Sequence, residues 1–340
     1  MPSRDALRTA AVLRLCHSPC HDSLTGQRPA EAGHYVRRMR KTVIALVLLS
    51  ALSPSSVRAQ PRCGHPDPEI SISVCSALIQ SGRARGRDLG TAHLERGIAY
   101  VTLLDYDRAL QDFDEAVRID SRSVRALANR GAVHGAKQDF DKAIDDFTQV
   151  LKLEPRSSTA FADRAGMYRL IGQYDTAIRD YDEAIRLNPA FEEALLNRAL
   201  TLAGTSRCAD AIADFTRVIE LNPEQAIAYL DRAVCHEAAG RDGLAVQDFS
   251  RHVELDPRSV EGFERRAALH FRGRDYASAL EDFARALTIN PSSATALYGR
   301  GVVKRTMGNT QSGTEDMDVA VAMRPTVSRE LAARGLKAPD

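Results

Sequence analysis

The sequence predicts an all-α solenoid built from helix-turn-helix units of 34 residues. Three residue types recur at this interval without an insertion: proline, alanine and an aromatic residue. The prolines are Pro155, Pro189, Pro223, Pro257, Pro291 and Pro325. The alanines run from Ala109 to Ala279, and the aromatic residues run from Phe113 to Phe283. A fixed period of this kind is the signature of a repeat architecture, in which each unit buries its apolar face against its neighbours.

Near the start of the chain, residues 39–59 have the pattern of an export signal. A basic pair at 40–41 precedes an apolar run to Leu52, and the segment closes on small residues that end at Ala59. This order is that of a cleavable signal peptide, which we assign to residues 39–59. The expected location is therefore periplasmic or secreted, in a bacterial envelope.

Met39 stands directly before this signal, so residues 1–38 are interpreted as a mis-called upstream extension. The whole chain has 46 Lys and Arg against 45 Asp and Glu, and removal of residues 1–59 leaves 37 against 42. Neither balance predicts a polybasic or polyacidic partner. No apolar stretch reaches the roughly 18 residues that a membrane span needs, so no stable span is expected.

Residues 60–89 are predicted to form a leader with a short helix near 68–81. The mature chain keeps four cysteines, an even number, in a compartment that oxidises thiols. Cys63 and Cys75 flank the leader segment, which has few apolar residues to hold it in place. A bridge between them would close a loop of about a dozen residues and stabilise the fold by about 3 kcal/mol.

Cys208 and Cys235 are the second candidate pair. They fall on adjacent antiparallel helices, with an expected offset of about one helical turn, roughly 5 Å along the axis. A bridge requires Cα atoms within about 7 Å of each other. The sequence therefore favours two small buried apolar side chains over a second bridge, and leaves the bridge open.

Residues 90–327 divide into seven units of two helices each. In the second unit, Ala143, Phe147 and Val150 recur at helical spacing on one face. A similar helical pattern precedes them, a polar turn separates the two patterns, and proline ends the second helix. The register predicts fourteen helices, followed by a capping helix and tail at residues 328–340.

Each unit carries a ladder of bulky, small and aromatic residues that ends on proline. In the third unit the ladder is Phe161, Ala165, Tyr168, Ala177, Tyr181, Ala184 and Pro189. This pattern resembles the tetratricopeptide repeat, and more narrowly a subclass of exported bacterial proteins with a short Cys-containing leader. The resemblance implies a right-handed superhelix whose concave side, lined by the first helix of each unit, binds other proteins.

Two further rows follow the same register, one of arginine and one of aspartate. The arginines are Arg96, Arg130, Arg164, Arg198, Arg232, Arg266 and Arg300. The aspartates are Asp112, Asp146, Asp180, Asp214, Asp248, Asp282 and Asp316. Because the two rows come level with each other in antiparallel helices, we expect an internal ladder of ion pairs. Such a ladder neutralises the arginine row, so nucleic acid is not expected as a partner.

The residues offer no constellation for catalysis, a metal or a cofactor. His134, His236 and His270 replace the packing aromatic of other units and are 34 residues or more apart. Acidic strings such as DFDE lie on helices, whereas a calcium site needs a loop that curls around the ion. The chain is therefore predicted not to be an enzyme, with no cofactor and no metal.

The concave side gives a candidate partner-binding set of mixed apolar and polar residues. The set is Leu94, Ile98, Asn129, Asp163, Arg169, Leu196, Asn197, Leu230, Asp231, Glu264, Arg272, Tyr298 and Arg305. The absence of lysine here argues against a clamp for a terminal carboxylate, and the mixture suits an extended or helical polypeptide. The sequence thus predicts a non-enzymatic scaffold that binds a protein or peptide outside the cytoplasm. The alternative is an accessory subunit of an envelope machine that uses its ends or convex face.

Overall fold

The computed structural model describes residues 62–337, which form sixteen α-helices and no strand. The all-α repeat fold predicted from the sequence is confirmed. The helices are α1 (Pro68–Gln80), α2 (Gly86–Thr102), α3 (Tyr106–Ile119), α4 (Val124–Ala136), α5 (Phe140–Leu153), α6 (Ser158–Leu170), α7 (Tyr174–Leu187), α8 (Glu192–Gly204), α9 (Cys208–Leu221), α10 (Ala226–Ala238), α11 (Asp242–Leu255), α12 (Val260–Arg272), α13 (Tyr276–Ile289), α14 (Ala294–Thr306), α15 (Thr310–Met323) and α16 (Val327–Ala333). The expected signal peptide and upstream extension lie outside the described residues. Within 62–337, no helix is both long enough and apolar enough to cross a membrane.

The chain divides into two compact units, Met1–Met167 and Tyr168–Asp340. In each repeat we call the first helix the A helix and the second the B helix; α2 is the first A helix. In the first unit, α2 packs on α3 and α4 on α5. In the second unit, the packed pairs are α8–α9, α10–α11, α12–α13 and α14–α15. The A helix of one repeat also contacts the B helix of the repeat before it, as α10 contacts α9.

The core of each of the first six repeats is a buried aromatic ring beside a fully buried alanine on the B helix. Phe147 and Ala143 on α5 have no exposed surface, and the same holds for Phe283 and Ala279 on α13. The alanine row leaves room for close helix approach. This approach is extreme in the last repeat, where a Cβ atom on Gly301 would lie 2.6 Å from the Gly313 carbonyl oxygen.

Every turn between an A helix and its B helix contains one residue with a left-handed backbone. These residues are Leu104, Gln138, Gly172, Ser206, Gly240, Arg274 and Gly308, with φ between 60° and 92°. Around Leu104 the amide of Asp105 donates to the Tyr100 carbonyl at 2.9 Å, and the amide of Leu104 donates to the Val101 carbonyl at 2.9 Å. This pattern is the Schellman motif, which satisfies the last carbonyls of a helix. Glycine adopts this conformation without a Cβ clash, whereas the four other residues bear the steric cost.

The leader helix α1 begins at a well-formed cap. The Asp67 carboxylate accepts from the amides of Glu69 and Ile70 at 2.9 and 3.2 Å, and Pro68 occupies the first helical position. Cys63 and Cys75 form a disulfide-bonded pair with their Cα atoms 4.8 Å apart. The bridge and the cap together attach a short segment that packs on α2.

Cys208 and Cys235 correct the expected helix offset. Their Cα atoms are 5.0 Å apart and the two residues are bonded, so the expected separation of one helical turn is wrong. The physical reason is where the helices end: Cys208 is the first residue of α9, and Cys235 lies one turn before the end of α10. In antiparallel neighbours these two turns come level. The bridge joins the fourth and fifth repeats of the array.

The last helix, α16, packs on α14 and α15 and ends in a Schellman motif of its own. The amide of Leu336 donates to the Leu331 carbonyl at 3.0 Å, and that of Gly335 donates to the Ala332 carbonyl at 3.1 Å. Leu336 has no exposed surface, and Leu331 is also buried. The hydrophobic contact that often accompanies this motif therefore continues into the core of the last repeats.

The expected arginine–aspartate ladder is confirmed for six pairs. In each pair the arginine Nε and Nη2 donate to the two carboxylate oxygens of the aspartate at 2.6–2.9 Å. The pairs are Arg96–Asp112, Arg130–Asp146, Arg198–Asp214, Arg232–Asp248, Arg266–Asp282 and Arg300–Asp316. Two parallel hydrogen bonds fix both the distance and the orientation of the helices that carry them.

In six of the seven ladder arginines, from Arg96 to Arg266, a third hydrogen bond reaches the preceding helix. Nη1 donates to an oxygen on the B helix of the previous repeat, or on α1, at 2.6–3.1 Å. The acceptors are Ser76, Asp114, Thr148, Asp182, Thr216 and Ser250. The row of acceptors ends before Arg300, because the equivalent position holds Ala284, which has no side-chain acceptor. There Lys304 binds Asp316, with Nζ–Oδ2 at 2.8 Å.

These contacts change the acidity of the groups involved. The pKa of Arg198 is raised chiefly by its hydrogen bonds with Asp214, while burial acts in the opposite direction. Burial alone would raise the pKa of Asp316, but the hydrogen bonds from Arg300 and Lys304 lower it overall. The charged forms of Arg198 and Asp316 are therefore favoured in the folded protein.

The ladder predicts unequal effects for the same substitution at the two carboxylates of Arg198. Asp214 has 9% of its side chain exposed and Asp182 has 51%. Asp214→Asn breaks a mostly buried pair and is expected to lower the free energy of unfolding by about 3 kcal/mol. Asp182→Asn is the matched control and should cost less than about 1 kcal/mol. Equilibrium unfolding in urea measures both values. Equal losses would contradict the conclusion that the buried pair with Asp214 contributes more stability than the exposed contact with Asp182.

Candidate polypeptide-binding surface

The structure divides the sequence-predicted partner-binding residues between the two compact units. Leu94, Ile98, Asn129 and Asp163 lie on the A helices α2, α4 and α6 of the first unit. Leu94 is buried, and the other three are half-buried. The Asn129 amide donates to the Arg125 carbonyl of its own helix at 2.8 Å. These residues therefore form part of the packed helices rather than a row of free side chains.

The second unit holds the remaining nine predicted residues, and none of them is fully exposed. Five are buried: Leu196, Asn197, Leu230, Asp231 and Tyr298. Four are half-buried: Arg169, Glu264, Arg272 and Arg305. Leu196, Leu230 and Tyr298 belong to three separate apolar clusters, so the structure does not join them into one continuous apolar strip.

The structure does bring Glu264 and Arg272 together with groups that sequence analysis missed. On α12, Arg265 pairs with Glu261 through Nε at 2.7 Å and with Glu237 of α10 through Nη1 at 3.2 Å. Arg272 is held by Asp242 in two hydrogen bonds of 2.9 and 3.0 Å. These six residues make a compact charged cluster, which we call the α12 cluster: Glu237, Asp242, Glu261, Glu264, Arg265 and Arg272.

The α12 cluster has unusual acidity at one carboxyl group. Burial raises the pKa of Glu264, although the hydrogen bond from the Ser293 hydroxyl acts in the opposite direction. Ser293 also accepts from the Ala296 amide at 3.1 Å and thereby caps α14. Burial alone would lower the pKa of Arg265, but its two glutamate partners raise it overall. A buried carboxyl beside charged arginines is poised to respond to a neighbouring charge.

The missed residues had a weak signal in the sequence. Glu261 and Arg265 are four residues apart on one helix, a spacing that favours an ion pair. The pairing of Arg265 with Glu237 depends on how α10 and α12 pack against each other, and no sequence motif predicts that packing. Across residues 62–337 no group of three or more His, Cys, Asp or Glu side chains could hold a metal ion.

The pKa of Glu264 leads to a prediction for the pH dependence of stability. A folded pKa above the ordinary value of 4.5 means that stability is lost as the pH rises from 4.5 through the folded pKa. Glu264→Gln keeps the acceptor oxygen for Ser293 and removes the ionisation. The variant should lose less unfolding free energy than the wild type between pH 4 and pH 7.

The control for that measurement is Glu224→Gln, at an exposed position. Unfolding in urea at both pH values should give the same difference for this control as for the wild type. A Glu264→Gln profile that runs parallel to the wild type over the whole range would refute the effect of burial at Glu264.

Comparison with known proteins identifies the repeats. Sequence models described as tetratricopeptide repeat match residues 196–260 and 265–325, and residues 124–157. A model described as TPR repeat matches residues 166–205. Together the three cover more than half of the chain. No curated protein matches the sequence.

Solved structures share the fold at low sequence identity. The C-terminal part of a TPR repeat-containing protein from Cytophaga hutchinsonii superposes with a TM-score of 0.58 at 19% identity, covering 68% of this chain and 94% of that one. A tetratricopeptide repeat protein from Parabacteroides merdae gives 0.52 at 22% identity, over 73% and 99% of the two chains. YrrB, described as a TPR protein with an unusual peptide-binding site, gives 0.50 at 19% identity, over 55% and 97%. The register, the helix pairs and these matches agree, and the chain belongs to the tetratricopeptide repeat family through residues 124–325.

Proposed function

We propose that the protein is a non-enzymatic interaction scaffold that binds a polypeptide on the A-helix surface of its repeats. The observation that carries this proposal is the α12 cluster, in which charged groups from two neighbouring A helices and one B helix meet beside the apolar core of the last repeats. A polypeptide offers such a surface both backbone groups and mixed side chains. The fold shared with YrrB, a protein described as having a peptide-binding site, supports the same class of ligand.

We further propose that this scaffold works outside the cytoplasm, in the periplasm or as a secreted protein. Two features support that location: the signal-like segment at 39–59 and the pairing of all four cysteines of residues 62–337. Disulfides persist in oxidising compartments and are rare in the cytosol.

The second candidate function is an accessory subunit of an envelope machine, such as cell-wall, secretion or polysaccharide assembly. One observation favours contact through the end of the array. On the last B helix, α15, the apolar residues Val319, Val321 and Met323 are exposed, Val319 to 51%. A partner that covers these side chains would bury apolar surface that is now in water.

Capture from an envelope extract separates the two candidates. Glu261→Arg reverses a charge in the α12 cluster, and Val319→Asp places a charge on the exposed face of α15. For a scaffold that uses its A-helix surface, captured protein should fall at least about tenfold with Glu261→Arg, equivalent to about 1.4 kcal/mol, and stay unchanged with Val319→Asp. The reverse pattern supports the envelope-machine candidate, and equal capture by all three forms contradicts both.

Thiol counting tests the proposed compartment. The full chain expressed with its own N-terminal segment in a bacterium, recovered from the envelope fraction and unfolded without reductant, should show no free thiol. Reduction before unfolding is the control and should expose four thiols if cleavage follows Ala59. Uncleaved protein that stays in the cytosol with all of its cysteines reactive would refute the proposed location.

A further inference from the structure

The α12 cluster is not open to solvent on all sides, because the end of the chain lies against it. The Arg272 Nη1 donates to the Arg334 carbonyl oxygen at 3.2 Å. A Cβ atom on Gly335 would lie 3.0 Å from the Arg272 Cδ, so the backbone here touches the arginine. The residues from Val327 to Leu336, which we call the C-terminal segment, thus reach back from α14 to the end of α12.

The segment contacts the repeats through apolar, ionic and backbone groups at once. Val327 and Leu336 have no exposed surface, and Leu331 has 3%. All three join the apolar cluster that includes Ala268 of α12 and Val302 of α14. These contacts resemble the anchors with which a short helix binds a groove.

Charge complements the apolar contacts at two places. Glu237, Glu261 and Glu264 act on the Arg334 guanidinium, whose pKa is lowered first by the surrounding protein and then by Arg265, against the effect of the three glutamates. At the other end of the segment, Glu330 pairs with Arg324 of the repeat array, Nη2–Oε2 at 3.5 Å. The segment therefore places the Glu330 carboxylate beside Arg324. Four residues later, the exposed Arg334 lies within reach of the charges of three glutamates and of Arg265.

Arg272 is prepared to bind a backbone carbonyl. Its Nε and Nη2 are occupied by Asp242, which fixes the plane of the guanidinium and leaves Nη1 directed at the segment. The Nη1 atom also lies 3.4 Å from the Glu237 Oε1. A carbonyl oxygen is present in any peptide, so this contact recognises a backbone rather than one side chain.

The C-terminal segment contains one short helix, which is not expected to be stable by itself. Helix α16 has seven residues, well below the roughly 12–15 at which an isolated helix becomes stable in water. Its position therefore depends on its contacts with the repeats, which are named above. A second peptide with the same groups can compete for the same contacts.

We propose that the surface of α10, α12 and α14 around Arg272 is a binding site for a short helix of defined chemistry, and that the C-terminal segment occupies it in the free protein. The ligand carries a carboxylate, an adjacent aliphatic residue, an arginine four positions after the carboxylate, and a second aliphatic residue two positions after the arginine. In this chain those groups are Glu330, Leu331, Arg334 and Leu336. The inference rests on the proposed function as a polypeptide-binding scaffold, and it names the ligand and the contact that regulates access.

The test uses the full chain and a labelled peptide of residues 326–337, TVSRELAARGLK. Leu336→Asp puts a charge in the buried apolar contact and releases the segment. Lys337→Asp is the matched control, because it introduces the same side chain at the neighbouring exposed position. If the segment is docked in about 90–99% of molecules, release raises the apparent affinity for the peptide by about 10- to 100-fold, as measured by fluorescence anisotropy.

Two further variants check the contacts. Arg272→Gln, added to Leu336→Asp, should remove most of the gained affinity, because the carbonyl donor and its charge are lost. A peptide with glutamate in place of Arg334 should bind the Leu336→Asp chain at least about tenfold more weakly, equivalent to about 1.4 kcal/mol. Equal affinity of the wild type, Leu336→Asp and Lys337→Asp chains for the peptide overturns the proposal.

Hydrogen exchange keeps the test decisive if Leu336→Asp disturbs the last repeats. In that variant, amides of 327–336 should exchange faster while those of α12 and α14 keep their protection. If α12 and α14 also lose protection, the same measurement is made on the wild type with excess peptide, where faster exchange of the chain's own segment supports displacement and unchanged exchange refutes it.

The outcomes also separate this inference from the proposed function. If capture of a partner depends on Glu261 but does not change with Leu336→Asp, the scaffold function is supported and the proposed regulated site is refuted. If the peptide binds as expected but no partner is captured, the regulated site is supported and the proposed scaffold function is not.

Discussion

One guanidinium that binds three helices at once is the interaction on which the repeat array depends. In the middle repeats, Arg198 and Arg232 each bind an aspartate on their own B helix with two hydrogen bonds and an oxygen on the preceding B helix with a third. A helical hairpin cannot bury its apolar face alone, so its stability comes from its neighbours. The third bond provides a directional contact where apolar packing alone would allow sliding. These guanidinium donors are therefore engaged within the array itself.

The same chemistry appears outside the ladder at Arg272, and there it has a different consequence. Arg272, like the ladder arginines, is held by an aspartate in two hydrogen bonds, but its remaining nitrogen meets a backbone carbonyl of the chain's last residues. In the ladder, Arg130, Arg198, Arg232 and Arg266 each bond to the repeats with all three nitrogens. At Arg272 one donor bonds to a short terminal helix. A guanidinium fixed by Asp242 thus keeps one donor for a backbone carbonyl, and a bound peptide could supply that carbonyl in place of the C-terminal segment.

Features that follow the 34-residue register could be predicted from the sequence, and features that depend on stacking could not. Arg198 and Asp214 were identifiable as partners because both recur at fixed places in antiparallel helices. Asp182 was not, since its role depends on the placement of one hairpin on the next. The offset of Cys208 and Cys235 was misjudged because the level at which α9 and α10 pack against each other is not stated by the sequence. Leu196 and Leu230, predicted for the partner-binding set, are buried in two apolar clusters, and this depth depends on the packing of neighbouring helices. Arg334 lies beyond the last repeat, where no register exists to indicate its contacts.

The recurring left-handed residue between the A and B helices has a consequence for how such a chain changes length over evolution. Because the same backbone geometry returns every 34 residues, from Leu104 to Gly308, a genetic event that duplicates or deletes one whole period joins two turns that are already compatible. An event of any other length breaks the spacing between the left-handed turn and the ends of its two helices, and it misaligns the arginine with its aspartate. Unequal recombination in whole periods is thus tolerated by the backbone, and the number of repeats is free to vary while the shape of each one stays fixed.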